Sequence, residues 1–342
     1  MKGSGNIPVK TAARKHVNHP EKGPAAGSRR EPRPAKSPAV AAALPAGDLR
    51  RGLAALYQTY NRREYVHPDP LEMVYRYSVP EDQEIAGLIS ACLAYGRVSQ
   101  ILSSVGKVLD LMDGAGPKSS PHAFLGRTTD RELRTLLKGF THRFTTGDEM
   151  AALLIAIKRM IAEHGSLEEL FASGMSREDE TVLPGLNEFV SHLRRAAGGA
   201  DACPSLLSSP EDGSACKRLN LYLRWMVRKD RVDPGPWRKV PRAKLVVPLD
   251  THMFRIARAL GLTSSRQANL KTALEITRAF ARHSPRDPVR YDFCLTRLGI
   301  NPSVKGARSV AASPKGPGTG STGKGSTLLR PLEQYLAVIE RE

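Results

Sequence analysis

Apolar residues recur at helical spacing through most of the chain between residues 48 and 300. Met253, Ile256, Ala257 and Leu260, for example, share one face of a helix predicted to follow Asp250. Asp250 occupies the N-cap position, where a carboxylate accepts the free N–H groups of the first turn. Gly261 follows the last turn, where a left-handed residue commonly ends a helix. Because no convincing alternating strands interrupt this pattern, the sequence predicts an all-α domain.

The same criteria predict several further helices. A segment from Ile85 to Tyr95 is apolar nearly all round, which is typical of a helix inside a core. Its small residues, such as Gly87, would let a neighbouring helix approach closely. Residues 113–129 and 196–212 are predicted to be loops. The other predicted helices begin at Pro80, after Arg97, near Asp148 (to about residue 164), after Ser166, near Leu186 and after Gly213.

Composition divides the chain into four parts. Residues 1–47 are rich in Lys, Arg, Pro, Ala and Gly, and contain too few large apolar side chains to offset the entropy of ordering. We expect them to form a disordered basic arm, followed by one all-α domain over residues 48–301. Residues 302–327 have the Ser, Gly and Pro content of a flexible linker, and residues 328–342 are predicted to form a short C-terminal helix.

The chain carries a large excess of positive charge. It has 52 Lys and Arg residues against 34 Asp and Glu residues, a formal net charge of +18. Residues 1–50 hold ten basic and three acidic residues, so that +7 belongs to this segment and +11 to the remainder. Basic tails on a neutral core therefore explain only part of the excess, and nucleic acid is the simplest polyanionic partner.

The cysteines and the hydropathy exclude several classes of protein. Cys92, Cys203, Cys216 and Cys294 are far apart and form no C-x-x-C pair, so we expect no zinc or iron–sulfur site and no other cofactor. A disulfide scaffold is not expected at this size. No apolar run reaches transmembrane length, and no signal segment opens the chain. These features predict a soluble cytoplasmic protein with no membrane partner.

Lys217 is placed unusually for a lysine. It falls in the first turn of the helix predicted after Gly213, where the positive end of the helix dipole disfavours a cation. A positive helix end, partial burial and the neighbouring Arg218 favour the neutral amine, which can attack an electrophilic carbon and form a Schiff base. The alternative interpretation of Lys217 is a lysine that faces solvent or binds phosphate. Asp250, taken alone, is explained by helix capping.

Three segments resemble motifs of the endonuclease III-like helix-hairpin-helix DNA glycosylases, in the order in which that superfamily has them. They are Leu88 to Tyr95, which is similar to the L-L-S-A-Q core helix; Lys217-Arg218-Leu219-Asn220, similar to the K-T-A-N helix start; and Leu249 to Arg255, similar to V-D-T-H-x-x-R. The segments SACKRLNLYLRWMVR and PLDTHMFRIAR also resemble a bacterial family of unassigned function.

The glycosylase resemblance implies two helical subdomains around a cleft and a DNA-repair function. The protein would remove a damaged base, with possible lyase activity at abasic sites, on a target nucleotide turned out of the duplex. Lys217 would be the Schiff-base nucleophile and Asp250 the catalytic carboxylate. The resemblance and the charge together suggest DNA contacts from Arg97, Gly213, Ser214, Arg218, Asn220, His252 and Arg255. We expect a monomer associated with the nucleoid.

The sequence departs from the superfamily in four places. The hairpin L-P-G-V-G is replaced by Ser209 to Ser214 with a single glycine, Cys92 replaces the glutamine of the core helix, and the four-cysteine cluster is absent. Lys217 and Asp250 are 33 residues apart, and residues 229–247 would form an inserted loop. Two alternatives therefore stay open: a non-catalytic nucleic-acid-binding protein of the same fold, and an interaction protein in which Lys217 and Asp250 are structural.

Overall fold

The computed structural model describes residues 46–300 apart from residues 115, 117 and 118, and only the backbone of residues 46 and 298–300. The predicted basic arm up to residue 45, the linker and the C-terminal helix lie outside the described residues. The described part is predominantly helical, which confirms the all-α class. None of the helices in this part combines the length and apolar character needed to cross a bilayer.

The helices and one small hairpin follow each other along the chain. The hairpin joins β1 (Thr141–His142) and β2 (Thr145–Thr146), with Thr141 opposite Thr146 and His142 opposite Thr145. Single 3₁₀ turns and helices cover Arg63–Tyr65, Pro70–Arg76, Ala200–Ala202, Pro210–Asp212 and Arg242–Lys244. The α-helices are α1 (Ala46–Tyr60), α2 (Pro80–Cys92), α3 (Val98–Asp113), α4 (Pro121–Arg127), α5 (Asp130–Leu136), α6 (Gly147–His164), α7 (Leu167–Ser173), α8 (Leu183–Ala197), α9 (Lys217–Val227), α10 (Thr251–Ala259), α11 (Leu270–Ala281) and α12 (Asp292–Ile300).

Local capping sets the first residue of several helices. The Thr146 hydroxyl accepts the Glu149 N–H at 3.3 Å, and the Glu149 carboxylate accepts the Thr146 N–H at 2.8 Å, so α6 begins with a reciprocal capping box. Ser166 accepts the N–H of Glu169 at 3.0 Å at the start of α7. These bonds join residues three apart, which is why the helix starts near residues 148 and 166 were predictable from the sequence.

Several elements were not predicted: α4, α5, α11, α12 and the β1–β2 hairpin. Residues 113–129 were expected to be a loop, but α4 lies within them, capped by Ser120 and with Phe124 and Leu125 buried. A seven-residue helix shows too little periodicity to be recognised, and α4 packs against α2, α3 and α6, so tertiary contact stabilises it. The β1–β2 hairpin was missed for a similar reason, because two-residue strands show no alternation.

Helix α2 lies at the centre of the core and packs against α3, α4, α7 and α9. Gly87 makes the contact with α9 possible, because a Cβ atom there would lie 2.7 Å from Met226 Cε and 3.3 Å from the Tyr222 ring. This confirms the predicted close approach at Gly87. Helix α6 packs against α5, α7 and α8, and α10 packs against α12. The first turns of α9 and α10 carry the candidate site.

Candidate active site

Lys217 and Asp250 meet where two helices begin. Lys217 is the first residue of α9 and Asp250 is the N-cap of α10. Their Nζ and Oδ2 atoms lie 3.6 Å apart, and the two side chains are 34% and 36% exposed. The predicted meeting of these residues is therefore confirmed, and the pair is accessible from solvent.

The two carboxylate oxygens of Asp250 have different partners. Oδ1 accepts the backbone N–H of Met253 at 2.7 Å, which caps α10. Oδ2 faces Lys217 Nζ. The capping interpretation and the paired interpretation are thus both correct, because the cap fixes the carboxylate and leaves its second oxygen free for Lys217.

A tight loop positions Lys217 at the start of α9. Gly213 has a φ of 73°, which glycine adopts without strain, and Cys216 has a φ of 47°, which is uncommon for a residue with a Cβ atom. The Cys216 thiol points to the Ser208 carbonyl at 3.4 Å, and the Asn220 side-chain amide donates to the Ala215 carbonyl at 3.0 Å. These contacts hold the chain in the conformation that makes Lys217 the first helical residue.

The first turn of α9 offers backbone donors. Cys216 makes no side-chain cap, and the N–H groups of residues 217–219 reach no acceptor within the described part of the chain. Free N–H groups at the start of a helix attract anions such as phosphate. Lys217 and these amides are therefore compatible with a phosphate-bearing substrate.

Arg218 and Asn220 support the site from inside. The Arg218 guanidinium donates to the carbonyls of Cys92 and Ser205, each at 2.6 Å, and lies 5.2 Å from the centre of the Tyr95 ring. Asn220 is buried, with its amide turned to the loop. The Asn220 side chain thus faces the backbone of the loop, and its contact with DNA stays a prediction.

The other residues expected to contact DNA lie nearer the surface. Arg97, Gly213 and Arg255 are exposed, and Ser214 and His252 are half-buried. The His252 Nε2 atom forms no hydrogen bond within the described part of the chain. Contacts of these residues with DNA stay predictions.

Asp292 is a second carboxylate beside the pair, and the sequence did not indicate it. It is the first residue of α12, is buried, and is bound by the Arg224 guanidinium at 2.5 Å. Burial raises the pKa of Asp292; Asp250 adds to the rise, while Arg224 and Lys217 oppose it. The sequence shows that Arg224 follows Lys217 by two helical turns on the same face of α9, but it does not identify Asp292 as the partner of Arg224.

Arg224 and a second arginine, Arg228, anchor a buried ion network. The network consists of these two arginines with Asp230, Asp233, Asp287 and Asp292. Asp233 is fully buried and bridges the two arginines, and Arg228 also binds Asp287 at 3.0 Å and Asp230 at 2.8 Å. The network therefore ties the start of the predicted inserted loop, and the start of α12, to the helix that carries Lys217.

Tyr95 and Phe144 form a stacked aromatic pair, which we call the aromatic step, and Arg218 at the start of α9 contacts its Tyr95 ring. Phe144 follows Arg143, whose φ is 55°, in the turn of the β1–β2 hairpin, and remains 64% exposed. Its ring stacks on Tyr95 with centroids 4.9 Å apart and planes at 17°. The Tyr95 hydroxyl donates to the His142 carbonyl at 2.9 Å, which fixes the ring.

Trp225 of α9 lies wholly within the core. Within the described residues no group of three or more His, Cys, Asp or Glu side chains is suited to hold a metal ion. The site itself offers an amine, a carboxylate and the backbone donors of a helix start.

The fold and site together define a helical protein with a lysine–aspartate pair where two helices begin. Residues 69–301, more than half of the chain, match a family described as "Protein of unknown function (DUF2400)", and the chain belongs to this family. Comparison with curated proteins and with solved structures gives no match.

Proposed function

We propose that this protein is a DNA base-excision enzyme, a glycosylase that also cleaves the strand at abasic sites. The observation that carries the proposal is the accessible Lys217–Asp250 pair, with 3.6 Å between Nζ and Oδ2. A nucleophilic amine needs a neighbouring base, and the two must be within reach of the same substrate atom. The resemblance of the three motifs, with lysine and aspartate at the matching positions, supports the same assignment.

The proposed reaction has a defined flow of atoms and electrons. Asp250 accepts a proton from Lys217, and the neutral Nζ attacks C1′ of the deoxyribose while the bond to the damaged base breaks and the base leaves with its electron pair. The bond between C1′ and O4′ then breaks, O4′ takes one proton from Nζ, and a protonated imine forms between Nζ and C1′. Water accepts a proton from C2′, the electrons of that C–H bond form the C2′–C3′ double bond, and the bond between C3′ and its oxygen breaks, so that the phosphate leaves with the electron pair and the strand is cleaved. Addition of water to the imine carbon releases Lys217.

Features around the pair support a nucleic-acid substrate. The aromatic step offers a ring face to an unpaired base, and stacking on aromatic side chains is a general way of holding unpaired bases. Arg143 lies in the same hairpin turn, and the exposed Arg97 follows Tyr95 by two residues. The first amides of α9 offer donors to phosphate.

The aromatic step also favours a second candidate, a nucleic-acid-binding protein without catalysis. That protein would use the same exposed ring and the same positive charge, and the Lys217–Asp250 pair would only stabilise the two helix starts. The third interpretation, an interaction protein, predicts no salt-dependent binding of DNA.

Borohydride trapping tests the enzymatic proposal. The full-length protein is mixed with duplex DNA that carries one abasic site, and sodium borohydride reduces any imine to a stable amine. We expect a covalent complex with the wild-type protein and at least a hundredfold less with Lys217→Ala, because no other group takes the place of the nucleophile. Lys107→Ala, which removes an exposed lysine of α3, should trap like the wild type.

Each outcome selects one interpretation. Lys217→Arg keeps the positive charge but cannot form an imine. If this variant binds DNA like the wild type and is not trapped, trapping requires the amine of Lys217 and not only its charge. If the wild-type protein binds DNA but traps no abasic or base-damaged duplex, the non-catalytic candidate is favoured and the enzyme is excluded. If it shows no salt-dependent binding, the interaction protein is favoured.

Phe144→Ala is expected to weaken DNA binding with little change in stability. One lost stacking contact corresponds to about 1–3 kcal/mol per base, or roughly a 5- to 150-fold rise in Kd for an abasic duplex. The matched control is Leu136→Ala at the end of α5, which also removes an exposed large apolar side chain. Fluorescence anisotropy at fixed salt measures both, and Phe144→Tyr should retain binding. Equal Kd values for the two alanine variants would exclude a role for the aromatic step.

A further inference from the structure

A cavity lies at the opposite end of α9 from Lys217. It has a volume of about 480 Å³ and is bounded by the residues that follow α9, by the turn at Arg242 and by the segment between α11 and α12. Four exposed basic residues line it: Lys229, Arg242, Arg286 and Arg290. We call this cavity the arginine pocket.

The carboxylates of the arginine pocket do not neutralise these cations. Only two line it, Asp230 and Asp287, and Arg228 binds both of them from below. Asp230 also accepts the Tyr57 hydroxyl at 2.9 Å. Within the described part of the chain, none of the four exposed basic residues forms an ion pair. The pocket therefore has a net positive charge, because its two carboxylates are paired with Arg228 in the buried ion network.

An aromatic contact holds one of the four basic side chains, Arg290. The Arg290 guanidinium lies 4.2 Å from the centre of the Tyr57 ring, a cation–π contact that orients it over the pocket wall. His283 also lines the pocket; burial lowers its pKa, and the charges of Arg282 and Arg50 lower it further. Like charges brought together in a concave site repel each other, and an anion bound between them relieves that repulsion.

We propose that the arginine pocket binds a phosphate group. Arginine donates two parallel N–H bonds to phosphate, and a cavity of this volume admits a phosphate together with an attached sugar. The phosphate has two possible sources, the backbone of a nucleic acid and a free phosphorylated small molecule.

The length of α9 is compatible with the nucleic-acid source. Eleven residues of helix, at 1.5 Å each, place its two ends about 16 Å apart. That distance spans about five steps of a duplex, at 3.4 Å per step along one strand. One DNA segment is therefore long enough to reach both the Lys217 site and the pocket. The proposal does not depend on the chemistry of Lys217.

The test uses the full-length protein with Arg242→Gln and Arg286→Gln combined. Both side chains are exposed and outside every ion pair of the described residues, so the fold should persist. The control combines Lys107→Gln and Arg177→Gln, two exposed basic residues elsewhere, and removes the same charge. Two quantities are measured: the salt dependence of duplex binding by anisotropy, and the binding of pyrophosphate by calorimetry.

We expect the pocket variant to bind the duplex about tenfold more weakly than the wild type. The slope of log K against log salt should become less steep by about 1. The control variant should match the wild type in both quantities. That result assigns the pocket to the DNA backbone. If pyrophosphate binding is lost while the slope is unchanged, the pocket takes a free phosphorylated molecule. Wild-type values for both quantities in the pocket variant, or an equal loss in the control, would overturn the proposal. Borohydride trapping is read separately, so failure here leaves the proposed function standing.

Discussion

Asp250→Asn is expected to slow Schiff-base formation at an abasic site by about 10²–10⁴-fold, with the free energy of unfolding nearly unchanged. Asparagine caps a helix about as well as aspartate does, so its side-chain oxygen can still accept the Met253 N–H. The amide cannot accept a proton from Lys217, whose Nζ lies 3.6 Å from the present Oδ2 atom. Rapid-quench borohydride trapping at several pH values gives the rate.

Two further variants separate capping from chemistry. Asp250→Ala should lose both the rate and about 1 kcal/mol of stability, since the cap disappears. Asn269→Ala removes the equivalent cap of α11, where Asn269 accepts the Thr272 N–H at 3.0 Å. It should lose about the same stability while trapping normally. If Asp250→Asn traps at the wild-type rate, Asp250 is a helix cap and nothing more.

Asp233→Ala is expected to produce the largest loss of stability, about 3–5 kcal/mol. Asp233 is fully buried and bridges Arg224 and Arg228, so its removal leaves two buried guanidinium groups short of a carboxylate. In a chain of this size such a loss lowers Tm by roughly 6–20 °C. Urea unfolding, followed by circular dichroism, measures the change.

The matched control for Asp233→Ala is Asp110→Ala. Asp110 pairs with Arg76 on the surface, with a side chain 68% exposed, so its removal should cost less than about 1 kcal/mol. Asp233→Ala should also slow trapping, because Arg224 holds Asp292 beside the Lys217–Asp250 pair. Equal losses of stability in the two variants would show that the buried ion network contributes no more than a surface pair.

Helix starts were predictable because they depend on neighbours in the chain. A cap joins residues two or three apart, so Ser166 and Asp250 could be assigned from local patterns, and the structure confirms their side-chain bonds. The core faces of α9 and α10 were predictable in the same way. The order of the motifs also pointed to the meeting of Lys217 and Asp250, although these residues are far apart in sequence.

The buried ion network could not be predicted from the sequence. Arg224 binds Asp292 across 68 positions and Arg228 binds Asp287 across 59, and in a chain with 34 acidic residues no local pattern selects these partners. The exposure of Phe144 could not be predicted from the sequence either. Whether an aromatic residue in a polar segment enters the core or stays at the surface depends on the hairpin turn and on Tyr95 beneath it.

Local chemistry thus specified the helical class, most helix starts, the core faces and the excess of positive charge, since each follows from residues within a few positions or from composition alone. Packing decided which charges lie together, which aromatic ring faces solvent, and that one oxygen of Asp250 caps α10 while the other faces Lys217. These features depend on contacts between segments far apart in the chain, and such contacts exist only once the helices have packed.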